Sequence, residues 1–136
     1  MGQYLRTQNM ERKLIFGLIV LTVLASFFYS FEGIMELKGR LYLSRGVIYA
    51  NQGQFEEAAT EFTKATKYEH LLVSAYNNRA SAYFNLGNYE KAIEDCDSSL
   101  KLKPNDYFAT NLKARALYRL KRYDEALQVS EAAIKI

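Results

Sequence analysis

The sequence predicts an all-α protein, an α-solenoid of helix-turn-helix units preceded by one helix of membrane-spanning length. Three observations predict it. One proline and seven glycines in 136 residues leave little material for strand-linking loops, which favours helices joined by tight turns. Leu14 to Phe31, "LIFGLIVLTVLASFFYSF", is an apolar run with no charge and no proline. The rest of the chain comes into register with itself when slid by 34 residues.

Composition bounds the reading. About half the residues are apolar and a quarter charged, as in a folded protein, and the length suits one small domain plus an anchor. A net charge of +3 points to no polyanion partner. Cys96 is the only cysteine, so no internal disulfide can form. His70 is the only histidine, which removes most zinc sites and most imidazole chemistry. No metal, cofactor or nucleic acid is expected.

As a helix, Leu14 to Phe31 spans roughly 27 Å, the thickness of a hydrocarbon core. Arg6, Arg12 and Lys13 precede it, and Tyr29 sits near the far end, where an aromatic ring favours the interface. The run reads as a membrane span. A cleaved signal peptide is the alternative, with Val23 and Ala25 at the small-residue spacing. Against it, "SFFYSF" carries the apolar run past that point. Basic residues are balanced across the span, with Lys38, Arg40 and Arg45 following it, so its orientation stays open. Thr22, Ser26 and Ser30 share one face, either as a packing surface for another membrane helix or as hydroxyls bonding their own upstream carbonyls. The expected organisation is a tail over 1–13, a transmembrane helix over 14–35 and a repeat domain over 36–136.

The repeat units lie at about 39–72, 73–106 and 107–136. "GQFEEAATEF", "GNYEKAIEDC" and "KRYDEALQVS" align, and columns of small residues follow: Gly46, Ala80 and Ala114; Ala58, Ala92 and Ala126; Ala65, Ser99 and Ala133. Phe55, Tyr89 and Tyr123 form an aromatic column at the turn. Each unit holds two helical stretches, such as Ala75 to Leu86 and Tyr89 to Leu102. Antiparallel helices pack closely where small residues sit at their crossing. Tyr49, Tyr83, Leu117, Phe62 and Leu100 fill the space between. One hairpin cannot bury its faces alone, so the three share a core.

This period, these columns and "LKPND" closing the second unit resemble the tetratricopeptide repeat (TPR) family over roughly Gly39 to Ile136. Gln52 and Lys121 in the turns, and His70 where a proline usually ends a unit, depart from its pattern. The resemblance implies a binding module without catalytic residues, whose first helices line a concave groove for a peptide or partner helix.

The middle unit most resembles chaperone-binding members, which clamp a carboxylate with Lys, Asn and Arg. Asn78 matches the clamp asparagine. Leu43, Val47, Phe108 and Leu112 occupy the other clamp columns, and without cations a carboxylate there has little to offset its desolvation. The chaperone-tail clamp is therefore not expected. The expected groove lining is Leu43, Ser44, Val47 and Ala50; Asn77, Asn78, Ser81, Phe84 and Asn85; and Phe108, Asn111, Leu112, Arg115, Tyr118 and Arg119. Its asparagines would bond a peptide backbone, its apolar residues an apolar side chain, and Arg115 and Arg119 an acidic group.

Cys96 reads as a buried packing residue, and the basic run Lys113 to Arg122 as a solvated surface, since the chain from Glu32 onward is nearly charge-balanced. Leu127, Ile134 and Ile136 would leave an apolar end for self-association or a partner subunit. The functional expectation is a non-enzymatic, membrane-anchored scaffold, an accessory subunit of a membrane complex. The alternative is a receptor or co-chaperone-like protein handling translocating polypeptides.

Overall fold

The computed structural model describes the backbone of residues 2–134 and the side chains of residues 12–132. Among them every regular element is helical: α1 Gly2–Asn51, α2 Phe55–Ala65, α3 Leu72–Asn85, α4 Tyr89–Leu102, α5 Tyr107–Arg119 and α6 Tyr123–Ile134, with a 3-10 turn at Glu69–Leu71. The all-α solenoid expected from the repeats is the fold. The chain divides into two compact units, Met1–Glu36 and Leu37–Ile136.

In the first unit every described side chain is exposed. The helix is long and apolar enough to cross a membrane. The Thr22 hydroxyl donates to the Ile19 carbonyl and that of Ser26 to the Thr22 carbonyl, each at 2.8 Å. The helix α1 is assigned over Gly2–Asn51. "EGIMELK" (Glu32 to Lys38) has no proline and no capping residue, and its Glu, Met and Leu propagate the helix through Gly33.

The second unit is built from antiparallel hairpins. The first helix of each pair ends in the same turn, in which one backbone N–H reaches back five residues: Gln54 to Tyr49, Asn88 to Tyr83 and Arg122 to Leu117, each at 2.9 Å. That turn needs a left-handed residue. Gly53 and Gly87 supply it, both at φ 76°, and Lys121 takes φ 62° in the third copy. Acidic residues then open the second helices, Glu56 and Glu57, Glu90, Asp124 and Glu125, where they favour the helix dipole. The helix α5 is capped by Asp106, whose carboxylate accepts from the Phe108 and Ala109 amides.

The core runs between successive hairpins as three clusters. Ala58, Ala59 and Phe62 pack on Ala82; Ala80 and Cys96 on Ala109 and Leu112; Ala92 and Ile93 on Ala116, Leu117 and Ala126. Gly46 lies where α1 meets the Phe62 ring: a Cβ there would stand 2.4 Å from it. Of the small columns, Gly46, Ala80, Ala58, Ala92 and Ala126 sit at these crossings.

Ion pairs tie the hairpins at intervals that the repeat analysis did not single out. Arg45, Arg79 and Lys113 share a column. Arg45 Nε lies 3.4 Å from Glu61 of α2. Arg79 grips Asp95 of α4 with two bonds of 2.8 and 2.7 Å and reaches the Thr63 hydroxyl of α2 at 3.0 Å. In the third unit Val129 stands in the acid's column, and Lys113 turns back to Asp97 at 2.6 Å.

Candidate functional site

The first helices α3 and α5 pack against each other and carry most of the expected groove residues. Val47, at 39% exposure, and Phe108, at 49%, are open to solvent, and Ser44 is exposed. Leu43 and Ala50 are half-buried against the Ala58–Phe62 cluster. Leu112 is a correction. At 4% exposure it packs with Ala80, Cys96 and Ala109, because its column faces the crossing of α4 and α5. It lines the core, and Phe108 remains exposed on α5.

The asparagines divide by partner. Asn77 is also corrected: its Nδ2 donates to Asp106 at 3.0 Å, and its buried Oδ1 has no donor among the described residues. Its amide holds the N-terminus of α5 to α3 instead of greeting a peptide. Asn85 donates to the Ser81 carbonyl at 2.8 Å and is otherwise exposed. Asn78 and Ser81 are half-buried, and Asn111 is exposed. The long-range Asn77–Asp106 contact has no sequence signal beyond the capping aspartate before α5.

Phe84, Arg115, Tyr118 and Arg119 come together around one cleft of about 350 Å³. The Arg115 guanidinium lies 4.7 Å from the Phe84 ring centre, and that of Arg119 5.8 Å from the Tyr89 ring. Phe84 and Tyr89 meet edge-on at 5.3 Å, as do Tyr118 and Tyr123 at 5.2 Å. Both guanidiniums are therefore positioned by aromatic faces, and neither has a carboxylate partner among the described residues. Arg45, Arg79 and Arg122 each have one. A planar cation so placed keeps its N–H donors for an incoming carboxylate. Sequence reasoning put the two arginines in the groove; Tyr89 as a platform for Arg119 it missed.

No described residues cluster as metal ligands. Cys96 is fully buried, and burial, with Asp95 and Asp97 nearby, pushes its thiol up to about 12. It is a packing residue. At the other end of the unit Leu127 is 60% exposed. The side chains of Ile134 and Ile136 lie outside the described residues.

Family models for the tetratricopeptide repeat match residues 73–106 and 110–136, and one for the TPR repeat matches 46–87. The chain belongs to the tetratricopeptide repeat family. TPR domains among solved structures share its fold. The first TPR of Spaghetti (RPAP3), bound to the HSP90 peptide SRMEEVD, is 27% identical with a TM-score of 0.68, over 73% of this chain and 79% of that one. The yeast Sti1 TPR2B domain, in complex with an Hsp70 peptide, is 29% identical at a TM-score of 0.68, over 71% and 78%. The first TPR domain of human RPAP3 is 26% identical at 0.67, over 72% and 77%. No curated protein matches the sequence. As a TPR protein, the chain is a protein–protein interaction scaffold.

Proposed function

We propose that the TPR unit holds an acidic segment of a protein partner against α3 and α5, and that the apolar part of α1 anchors it in a membrane. One observation carries the groove reading: Arg115 and Arg119, set over Phe84 and Tyr89 beside a shared cleft, have no carboxylate partner among the described residues. An acidic side chain entering the cleft would pair with them, while Val47 and Phe108 take an apolar neighbour and Asn78, Asn85 and Asn111 bond the backbone. The anchor raises the partner's effective concentration at the membrane and makes the protein an accessory subunit of a membrane-associated complex. The Thr22–Ser26–Ser30 stripe offers a close approach to a second membrane helix.

A second reading, a membrane-tethered co-chaperone or a receptor for translocating polypeptides, is favoured by the acidic HSP90 peptide in the Spaghetti structure. Leu43, Val47 and Phe108 weigh against it, because they set apolar groups where a terminal carboxylate would need cations.

Fluorescence anisotropy with the full chain in detergent micelles tests both. An internal acidic peptide with blocked ends should bind, and Arg115→Glu with Arg119→Glu should weaken it about tenfold or more. Unchanged binding in that variant rejects the groove. Preference for SRMEEVD with a free C-terminus over its amidated form selects the co-chaperone reading. Alkaline carbonate extraction tests the anchor, which fails if the full chain is released from membranes.

A further inference from the structure

Charge is segregated between the two kinds of helix in the repeat unit. The first helices, residues 37–51 of α1, α3 and α5, contain no Asp or Glu. Every acidic residue after Glu36 lies on a second helix or, at Glu69 and Asp106, in the connections between hairpins. Three of the second-helix carboxylates are met by a single column of the first helices: Glu61 by Arg45, Asp95 by Arg79 and Asp97 by Lys113. Arg115 and Arg119 stand outside that column, and with Phe84 and Tyr118 they line a cleft that has no acidic lining residue.

The two guanidiniums form a pair. Residues four apart on a helix are neighbours on its surface. Arg115 is held over Phe84 at 4.7 Å and Arg119 over Tyr89 at 5.8 Å. A guanidinium over a ring keeps its in-plane N–H donors for another group. One carboxylate, with a single charge and two oxygens, matches one guanidinium fork and leaves the second cation without a partner. Neighbouring residues of an extended segment point to opposite sides, so adjacent acidic residues do not enter one cleft together. A phosphomonoester brings about −1.5 to −2 charge and three acceptor oxygens in one group, which serves both forks at once. Tyr118, 63% exposed, lines the same cleft and carries a hydroxyl as a further donor.

We propose that the acidic group this cleft takes is a phosphorylated side chain of the partner segment, so that phosphorylation of the partner switches its docking on. The inference rests on the groove reading and narrows its anion from a carboxylate to a phosphomonoester.

The test uses the full chain in detergent micelles and peptides of one sequence with blocked ends. They differ at one position, as Ser, phosphoserine or Glu, and a fourth carries Glu-x-Glu there. By fluorescence anisotropy the phosphoserine peptide should bind roughly tenfold or more tighter than any of the others. Arg115→Gln or Arg119→Gln alone should bring it down to the affinity of the Glu peptide. Both side chains are exposed, so the fold should survive, which melts by circular dichroism check. Equal binding of the phosphoserine peptide and either Glu peptide overturns the inference and leaves the groove reading standing. A phosphoserine preference that survives both single variants places the phosphate elsewhere and overturns it too. Binding of none of the four peptides rejects the groove together with the inference. A soluble inositol trisphosphate that binds tighter than the phosphopeptide, and is lost in the variants, makes a lipid headgroup the ligand and overturns the proposal.

Discussion

Arg79 and Asp95, sixteen residues apart, are joined by two parallel hydrogen bonds of 2.8 and 2.7 Å, with the arginine flanked by the Tyr76 and Tyr83 rings. The side chains are 17% and 7% exposed. Because the third guanidinium nitrogen reaches Thr63, this one residue ties α2, α3 and α4 together. Asp95→Ala strands a buried cation and should cost roughly 3 kcal/mol. Arg79→Lys should recover little, because one ammonium cannot reproduce the planar fork. Thermal melts by circular dichroism check both, and a loss below about 1 kcal/mol for Asp95→Ala would mark the pair as a surface-type contact.

Lys121 stands in the column of Gly53 and Gly87 with a left-handed backbone at φ 62°. A side chain pays for that conformation with a Cβ clash that glycine avoids. Lys121→Gly should stabilise the unit by about 1 kcal/mol, and Gly87→Ala should cost a similar amount. A lower melting temperature for Lys121→Gly would contradict this.

Gly46 faces Phe62 with no room between them, since an added Cβ would sit 2.4 Å from the ring. Gly46→Ala should therefore destabilise by about 1–3 kcal/mol. Combining it with Phe62→Leu should cost less than the two changes summed, because the smaller side chain frees the space. Strict additivity would refute the contact.

Asp106 carries a pH dependence. Burial raises its carboxyl, but the bonds from Asn77 and the Ala109 amide, the Lys103 ammonium and the Phe108 amide together hold it below its ordinary value of 3.8. A carboxyl depressed on folding adds stability that is whole above that ordinary value and lost as pH falls through the folded one. Asp106→Asn should melt earlier than the wild type at neutral pH, and the gap should narrow on acidification. A gap that widens with acid would reverse the assignment.

Legibility followed the range of the interaction. The helices, the turn column and the small-residue crossings rest on local spacing, and they read out of the chain directly. Phe84, Arg115, Tyr118 and Arg119 were expected together from the family resemblance, and they line one cleft. Leu112 and Asn77 were misread because a column marks a direction on a helix, while the depth of a neighbouring helix decides whether that direction meets solvent. Leu112 points into the α4–α5 crossing, and Asn77 finds a carboxylate at the cap of another helix.

By itself the sequence determined the repeating unit, its family and the apolar run of membrane length, because periodicity and hydropathy are properties of neighbours along the chain. Tertiary structure decided the partners: which arginines meet Glu61, Asp95 or Glu125, and which, among the described residues, lie on aromatic faces without a carboxylate. Charge pairing depends on distances between separate helices, and packing alone sets those.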